Sequence, residues 1–296
     1  MRNNLRTLLA SLMAASLVLA ACGSDSAGDD GDDGGATDGT SGTETTSADD
    51  AGEDTADGEV LRVGVKFDQP LFGVDGPDGV VGFDAEIAKL IGEELGRPVE
   101  FQEAVSANRE TFLENGTVDM VVATYTINDA RKEQISFAGP YYVAGQDIMV
   151  PADNPMGIGS IDDLNSSDVS VCTAEGSTSL ENLQSMAPDA EIVTFDAYSK
   201  CADALGQGRT DAVSTDNVIL LGLASESDGD YSLVENAFTD EPYGIGVPLD
   251  SDLRCEVNTI LQGLYDDGRW ATAYEDTVGT VASETPDPPA IDNEGC

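Results

Sequence analysis

The sequence contains no histidine and few bases: its 296 residues include 57 acids against 13 lysines and arginines, for a formal charge of -44. Without histidine, Ser-His-Asp triads, histidine-ligated zinc and imidazole pH switches are impossible. Binding to duplex nucleic acid needs a basic face that neutralises phosphates, and there is no surplus of lysine or arginine to build one. We therefore expect no nucleic-acid partner, and a chemistry that rests on carboxylates, hydroxyls and a few cations.

The chain has enough hydrophobic sequence, 40%, for one large domain or two modest ones, but it begins with a targeting segment. Arg2 and Arg6 precede an apolar run, residues 8–18, that is too short to span a bilayer. The run leads to Leu-Ala-Ala-Cys, ending at Cys22, which resembles the bacterial lipobox. This implies that residues 1–21 are a lipoprotein signal peptide cleaved before Cys22, and that the Cys22 sulfur carries diacylglycerol. The alternative is an ordinary signal peptide whose cysteine is incidental.

Residues 22–59 are predicted to be a tether beginning at the acylated cysteine. From residue 23 onward this segment contains only Gly, Ser, Thr, Ala, Asp and Glu, with 13 acids and no base. Such a segment cannot bury enough apolar surface to offset chain entropy, so we expect a disordered spacer. Residues 60–296 keep 44 acids against 11 bases, so the folded body is acidic in its own right.

Strand and helix patterns alternate in this body. Leu61–Phe67 and Val118–Ala123 are apolar, β-branched runs that predict strands, whereas residues 83–95 place apolar side chains at helical spacing before a glycine. Such alternation is typical of an α/β fold.

One pattern occurs twice, 92 residues apart, in which a helix ends at a glycine and an aspartate opens a buried strand. The first copy contains Leu113, Gly116, Asp119 and Val121, and the second contains Leu205, Gly208, Asp211 and Val213. The repeat favours two lobes of the same build. Because ligands of open α/β sheets bind beyond the carboxyl ends of the strands, Thr124 and Asp216 are expected to face each other across a cleft.

Two extended crossings, near Gln146–Val150 and Tyr243–Val247, are predicted to join the lobes as a double-strand hinge. The predicted division of the body is a first lobe of residues 60–149 and 246–280, a second lobe of residues 150–245, and a Pro-rich tail of residues 281–296.

Four cysteines follow Cys22, and an even number in an oxidising compartment allows three pairings. Cys172 on a predicted strand and Cys201 on a predicted helix of the same lobe favour one bridge. That pairing leaves Cys255 with Cys296, which would hold the tail to the last long helix. No metal site is expected, because no two cysteines lie close in sequence and histidine is missing.

Several strings in the body resemble the family 3 extracellular solute-binding proteins, which serve ABC importers of polar amino acids. They are Leu61-Arg62-Val63-Gly64-Val65, Val81-Gly82-Phe83-Asp84, Asn115-Gly116-Thr117-Val118-Asp119, Phe137-Ala138-Gly139-Pro140-Tyr141-Tyr142, Gly176-Ser177-Thr178 and Asp211-Ala212-Val213. The resemblance covers residues 60 to about 278 and is strongest to actinobacterial glutamate-binding lipoproteins. It implies a two-lobed periplasmic-binding-protein type II (Venus flytrap) fold. It also implies a cofactor-free monomer, lipid-anchored outside the cell membrane, that delivers an amino acid to a membrane permease.

The resemblance assigns the α-carboxylate of the ligand to Arg131, whose planar guanidinium suits bidentate binding. Asp216, at a strand end in the second lobe, is expected to bind the ammonium group. The alternatives are a surface arginine and a plain helix cap.

Hydroxyls and backbone groups are expected to complete this clamp. Gly176, Ser177 and Thr178 open a helix whose backbone N–H groups attract an anion, although Ser177 equally suits an N-cap. Thr124 and Thr126 are expected to offer the ligand a carbonyl and a hydroxyl.

Specificity is predicted to rest on Lys66 and Arg109, because acidic-amino-acid binders of this family hold the distal carboxylate with cations near these positions. Glutamate is therefore the leading ligand, followed by aspartate or glutamine. The alternatives are an ion pair of Lys66 with Asp68 and a helix-surface position for Arg109. Phe67 and Tyr125 are candidates for the cleft wall, although aromatic residues at strand ends also suit a core.

Two other functions use the same fold. A receptor module would report the amino acid to a membrane signalling protein, and a dehydratase or peptidoglycan lyase would use a carboxylic acid in catalysis. The amino-acid clamp favours a binding protein over an enzyme, and the sequence does not separate transport from sensing.

Overall fold

The computed structural model describes residues 58–296; the predicted signal peptide, Cys22 and the tether up to residue 57 lie outside the described residues. In chain order the strands are β1 (Leu61–Val65), β2 (Asp68–Gln69), β3 (Gly73–Gly76), β4 (Gly79–Val81), β5 (Val99–Glu103), β6 (Met120–Val121), β7 (Ile135–Ala144), β8 (Gln146–Pro151), β9 (Ser170–Ala174), β10 (Glu191–Phe195), β11 (Ala212–Asp216), β12 (Tyr231–Leu233) and β13 (Glu241–Pro248). The helices are α1 (Phe83–Glu94), α2 (Arg109–Glu114), α3 (Asp129–Lys132), α4 (Ile161–Leu164), α5 (Thr178–Met186), α6 (Tyr198–Gly206), α7 (Asn217–Ser225), α8 (Leu253–Asp267) and α9 (Arg269–Asp276). Within residues 58–296, none of these helices has the length and apolar character needed to cross a membrane.

The first lobe is built on a five-stranded sheet of order β5-β1-β6-β13-β7. β1 pairs in parallel with β5 and β6, whereas β13 runs antiparallel to β6 and β7. A small antiparallel sheet, β2-β3-β4, leads into α1, and α8 and α9 pack on α1. The sheet therefore keeps the parallel order expected of strand–helix alternation, except that β13 runs opposite to its neighbours β6 and β7.

Aromatic side chains fill the core of the first lobe. The ring of Phe83 makes edge contacts with Phe72 and Trp270, and the indole of Trp270 donates a hydrogen bond to Tyr141 O at 2.9 Å. On α1, Ile87 and Ile91 are fully buried four residues apart, as the helical spacing in the sequence requires.

The second lobe is built on a sheet of order β10-β9-β11-β8-β12. Successive side chains along its strands lie on opposite faces of the sheet and pack in different hydrophobic clusters. Met149, for example, packs with α6 and α7, whereas Ile148 packs with α4 and α5. Both faces of the sheet are covered, so its central strands bury consecutive residues, polar ones included. The α/β prediction is confirmed in both lobes.

The chain crosses between the lobes twice. β7 ends at Ala144 and β8 begins at Gln146, so Gly145 is one crossing, and residues 234–240 are the other. A Cβ on Gly145 would lie 2.7 Å from Thr239 O, so the two crossings run side by side. The double-strand hinge is confirmed. The chain passes from one sheet to the other a few residues before the predicted lobe limits at 149/150 and 245/246. The detailed division of the chain into lobes stays a prediction.

The 92-residue repeat corresponds to equivalent structure in the two lobes. Gly116 and Gly208 follow α2 and α6 with positive φ angles of 71° and 64°. The carboxylate of Asp119 accepts a hydrogen bond from Arg62 N on β1, and that of Asp211 accepts one from Ser170 N on β9, each at 2.9 Å. Each aspartate precedes a strand, β6 or β11, and its hydrogen bond links the start of that strand to the neighbouring strand, β1 or β9.

Two disulfides join the cysteines as predicted. Cys172 on β9 is bonded to Cys201 on α6, and Cys255 on α8 is bonded to Cys296. The second bond holds the C-terminal tail along the first lobe, where Asp292 N donates to Gly139 O at 2.8 Å. The tail is therefore attached to the first lobe by both covalent and backbone contacts.

Candidate functional site

A small polar cavity lies between the lobes, beyond the carboxyl ends of β6 and β11. It is lined by Ser106, Arg109, Thr124, Thr126, Ser177, Thr178, Ser179, Tyr198, Asp216 and Ile219. Six of these residues were site candidates from the sequence, and they come from both lobes. Thr124 and Asp216 therefore face one cavity, as the repeat predicts.

Arg131 lies beside this cavity and is 6% exposed, so it is not a surface arginine. Asn128 caps the short helix α3 by accepting a hydrogen bond from Arg131 N. The guanidinium Nη1 donates to Thr126 O at 2.7 Å, and Nε lies 3.2 Å from a carboxylate oxygen of Glu110. Nη2 reaches Gly176 O of the second lobe at 3.4 Å. These contacts hold the guanidinium in place where the lobes meet.

Arg109 is buried, and two of its three guanidinium nitrogens donate to backbone carbonyls. Nη1 donates to Ala123 O at 3.0 Å, and Nε donates to Ser106 O at 3.3 Å. The Tyr125 ring lies beneath it, 4.1 Å from the guanidinium carbon, and also 4.9 Å from that of Arg131. Burial, together with the neighbouring Arg131, lowers the pKa of Arg109 to about 10. The predicted alternative of a helix-surface charge is wrong.

Lys66 is also buried, one residue beyond the end of β1. Its Nζ donates to the Ser106 hydroxyl at 2.9 Å. Asp68 instead accepts a hydrogen bond from Ser199 N, so the predicted alternative of a Lys66–Asp68 pair is wrong. Burial, and next the charge of Arg109, lower the pKa of Lys66 to about 7.

Asp216 presents a carboxylate to the cavity from the start of α7. It occupies the N-cap position, but its side chain makes no capping hydrogen bond, so plain helix capping does not explain it. Oδ2 accepts a hydrogen bond from the Tyr243 hydroxyl at 2.6 Å, whereas Oδ1 is buried and has no partner among the described residues. Burial, and next the nearby Glu241 carboxylate, raise the pKa of Asp216 to about 7.

The N-terminus of α5 forms another wall. Ser177 caps the helix, since its hydroxyl accepts a hydrogen bond from Leu180 N. The Thr178 hydroxyl donates to Glu241 at 3.0 Å and lies 3.4 Å from the Thr126 hydroxyl of the first lobe. Gly176 has a positive φ of 70°, and a Cβ there would meet Ala107 Cα at 2.7 Å. A glycine is thus required both by the backbone and by the approach of the first lobe.

Asp84 holds the Thr124 backbone in an unusual conformation. Thr124 has a positive φ of 43°, which is rare for a β-branched residue. The buried Asp84 carboxylate accepts hydrogen bonds from Thr124 N at 2.8 Å and from the Tyr141 hydroxyl. The Thr124 hydroxyl donates to Gln69 at 3.0 Å. The strained residue is therefore fixed from several sides beside the cavity.

Five of the candidates from the sequence are not among the cavity-lining residues: Lys66, Arg131, Gly176, Phe67 and Tyr125. Tyr125 is fully buried under the two guanidinium groups and packs edge-on against Phe137. Phe67 packs against the core of the first lobe.

Sequence reasoning missed several residues at the site. Ser106 accepts from Lys66, Glu110 pairs with Arg131, and the Tyr198 hydroxyl lies 3.4 Å from Ser179 Oγ. Ser106 and Glu110 flank Arg109, so their closeness in sequence was a usable signal. Nothing local marked Tyr198. In residues 58–296, no group of three His, Cys, Asp or Glu side chains is arranged to hold a metal ion.

The chain is similar to known solute-binding proteins over most of its length. The sequence profile of bacterial extracellular solute-binding proteins, family 3, matches residues 61–280. The glutamate-binding protein GluB of Corynebacterium glutamicum is 32% identical over 286 residues, which cover 92% of this chain and 89% of GluB. The ABC transporter glutamine-binding protein GlnH of Bacillus subtilis is 36% identical over 267 residues, which cover 88% of this chain and 92% of GlnH.

A solved structure supports the same fold. An ancestral arginine-binding protein bound to glutamine matches with a TM-score of 0.70 at 35% identity, covering 74% of this chain and 98% of that protein. The two-lobed type II periplasmic-binding fold predicted from the sequence is thus confirmed. The profile match, the identities to both relatives and the shared fold agree: the chain belongs to the family 3 bacterial extracellular solute-binding proteins.

Proposed function

We propose that the protein captures a polar amino acid, glutamate foremost, between its lobes and delivers it to the permease of an ABC importer. The observation that carries this proposal is that Asp216 of the second lobe lines a polar cavity, and that the buried guanidinium of Arg131, from the first lobe, lies beside this cavity where the lobes meet. A zwitterion needs a fixed partner for each charge once water is removed, since an unpaired buried charge costs several kcal/mol. A guanidinium and a carboxylate on opposite lobes meet that need.

The α-carboxylate is assigned to Arg131 and the N-terminus of α5. Glu110 holds Nε, which leaves the outer edge of the guanidinium turned toward the second lobe, where it contacts Gly176 O. The first backbone N–H groups of α5 and the Thr178 hydroxyl lie on that side, and a helix N-terminus favours an anion. The carboxylate would then be held by both lobes at once.

The ammonium group is assigned to Asp216. Its Oδ1 atom is buried and has no hydrogen-bond partner within residues 58–296, which is costly unless a donor arrives. A ligand ammonium supplies that donor and favours the ionised carboxylate, against the burial that raises the pKa of Asp216 to about 7. Carbonyl and hydroxyl groups of Thr124 and Thr126 would accept the remaining N–H bonds.

The distal carboxylate of glutamate is assigned to Lys66 and Arg109. Lys66 Nζ has three N–H donors, and its hydrogen bond in the described residues is to the neutral Ser106 hydroxyl. Arg109 donates to carbonyls through Nε and Nη1, so it offers the ligand its positive charge and the N–H groups of Nη2. A ligand carboxylate would offset the buried charge of Lys66, whereas the neutral amide of glutamine would not. This difference favours glutamate, although the relatives include both a glutamate-binding and a glutamine-binding protein.

The proposal is tested by calorimetric titration of the protein with glutamate, aspartate, glutamine and arginine. We expect glutamate to bind most tightly, and Arg131→Ala to weaken its affinity by at least about 100-fold. Lys132→Ala is the matched control, because Lys132 is the adjacent cation and is exposed. Asp216→Asn should weaken binding comparably while removing only a charge. Wild-type affinity in Arg131→Ala, or selective binding of arginine, would contradict the proposal.

The protein is proposed to bind without converting its ligand and to act as a monomer. Glutamate incubated with it should be recovered unchanged by NMR, and light scattering should give the mass of one chain. Formation of a new product would favour the dehydratase or lyase alternative. Co-purification with a permease and ATPase, rather than with a signalling receptor, would separate import from sensing.

A lipid anchor at Cys22 is proposed for the mature chain, with residues 23–59 as the tether outside the membrane. Its support is the charged, apolar and small-residue order of the first 22 residues. In a bacterial host, radiolabelled palmitate should label the wild-type chain and the Ser24→Ala control but not Cys22→Ala. Equal labelling of Cys22→Ala would contradict the anchor.

A further inference from the structure

The helix α6 of the second lobe begins without a cap of its own. Ala197 occupies the N-cap position, and no side chain of the helix makes a capping hydrogen bond. Instead, the Asp68 carboxylate of the first lobe accepts a hydrogen bond from Ser199 N at 3.2 Å. A carboxylate at a helix N-terminus is stabilised by free N–H groups and by the helix dipole. One lobe therefore caps a helix of the other.

The same turn of the first lobe meets a second helix. Pro70, two residues after Asp68, lies against Gly222 in the middle of α7: a Cβ at Gly222 would be 2.4 Å from Pro70 O. A backbone hydrogen bond closes the turn, because Phe72 N donates to Gln69 O at 3.1 Å. A backbone carbonyl in such a turn has little freedom to move aside. Glycine at 222 thus permits the lobes to approach this closely.

We propose that residues 68–70 form a closure latch, in which Asp68 caps α6 and Pro70 seats against Gly222 when the lobes close on a ligand. The latch rests on the proposed function and adds to it: these residues touch no ligand but set how long the ligand stays bound. When the lobes separate, the carboxylate and the first N–H groups of α6 return to water. The contact therefore stabilises only the closed form.

A neighbouring cation does not replace this contact. Lys200, on the first turn of α6, forms an ion pair with Asp196, in which Nζ lies 2.6 Å from Oδ1. Because the latch forms after the encounter with ligand, its loss is expected to raise the dissociation rate constant and to leave the association rate constant nearly unchanged.

The decisive variant is Gly222→Ala, which changes no charge. Gly263→Ala is its matched control, because Gly263 also lies inside a helix but its Cβ would meet nothing within 4 Å. Both changes favour the helix in the ligand-free protein. In stopped-flow kinetics with glutamate, we expect Gly222→Ala to dissociate at least about tenfold faster than wild type, and Gly263→Ala to match wild type.

Asp68 is tested by Asp68→Ala, with Asp78→Ala as an exposed control on the same lobe. Dissociation should be about tenfold faster in Asp68→Ala, and Asp68→Asn should recover part of the loss because its amide oxygen can still accept from Ser199 N. Hydrogen exchange at the start of α6 should be slowed by ligand in wild type and not in Asp68→Ala.

Unchanged dissociation in Gly222→Ala, with unchanged exchange at Ser199 in Asp68→Ala, would overturn the latch. Failure of the proposed function looks different, since wild type and Gly263→Ala would then bind none of the amino acids. The ligand-free protein provides a separate check: because the latch forms only on closure, Asp68→Ala and Asp78→Ala should exchange alike at Ser199 there, and faster exchange in Asp68→Ala would show a contact that does not depend on closure.

Discussion

Three of the 11 bases in residues 60–296 are buried beside one cavity, and they differ in how their charges are compensated. Arg109 donates to backbone carbonyls, and Arg131 contacts both a carbonyl and the Glu110 carboxylate. Lys66 has a neutral hydroxyl as its partner. Burying a cation against a hydroxyl is unfavourable unless the group loses its proton or gains an anion. Lys66 is therefore the site residue whose charge depends most on the ligand.

Glutamate binding is expected to be coupled to protonation of Lys66. The pKa of Lys66 is about 7 in the described structure, and a ligand carboxylate raises it, so the protonated form binds more tightly. Affinity should then fall by close to tenfold as pH rises from 7.5 to 8.5. Asp216, whose pKa is also about 7, acts in the opposite direction, but it is already mostly ionised at pH 7.5 and gains little further charge across this window. Calorimetry in buffers of different ionisation enthalpy should register proton uptake.

Lys66→Gln is the variant that isolates this effect, and Lys132→Gln is its exposed control. The first should bind glutamate more weakly and without the alkaline decline, and the second should follow wild type. A flat wild-type profile, or net proton release above pH 7.5, would show that Lys66 does not receive the distal carboxylate.

The residues predicted from sequence are those whose position follows from chain order. Thr124 lies just beyond β6 and Asp216 is the last residue of β11, and the carboxyl ends of strands meet at one edge of a sheet. Tyr198 lies at the start of a helix whose place depends on tertiary packing, so no local pattern indicates it. The positive φ of Thr124 could not be predicted from the local sequence either, because the hydrogen bond that fixes it runs from Thr124 N to Asp84, 40 residues away.

At the scale of elements, helices were predicted more closely than strands. The predicted helix over residues 83–95 is observed as Phe83–Glu94, because its limits follow from its own periodicity and the glycine that ends it. The strand predicted over Val118–Ala123 is only Met120–Val121. Its length is set by its neighbours: β1 pairs with only two of its residues and β13 with one. The limits of a strand thus depend on the neighbouring strands, which its own sequence does not identify.

The Cys172–Cys201 disulfide fastens α6 to the central strand β9 within the core of the second lobe. Replacing both cysteines by alanine should lower the free energy of unfolding by about 3–4 kcal/mol, since the bond closes a loop of about 30 residues in the unfolded chain. Urea denaturation measures this as a lower midpoint. Dissociation of glutamate should also be faster, because α6 carries both Tyr198 and the amide that Asp68 caps.

The Cys255–Cys296 pair provides a comparison for that experiment. It closes a similar loop, with a sequence separation of 41, but holds the tail to the first lobe, away from the cavity-lining residues. Its double alanine variant should lose stability and keep wild-type dissociation kinetics. Equal kinetic effects of the two double variants would mean that α6 is not specifically positioned by its disulfide.

At the scale of the whole molecule, the 92-residue repeat predicted two lobes, and equivalent aspartates in the two sheets give it a structural basis. The places where the chain crosses were harder to predict. β7 and β8 are separated only by Gly145, although they belong to different sheets. Sheet membership depends on which strands pair, and the sequence of one strand does not identify its partner.

Net charge opposes an anionic ligand until the ligand reaches the cavity. Residues 60–296 carry 44 acids and 11 bases, and several of the exposed bases are paired with carboxylates, as Arg62 is with Asp119. Glutamate therefore approaches a negative surface, whose field extends about 30 Å at 10 mM salt and less than 10 Å at 300 mM. The association rate constant for glutamate should rise several-fold over that range in stopped-flow experiments, and the dissociation rate constant should change little. An association rate that fell with salt would mean that the buried cations, rather than the acidic surface, dominate the field at the cavity entrance.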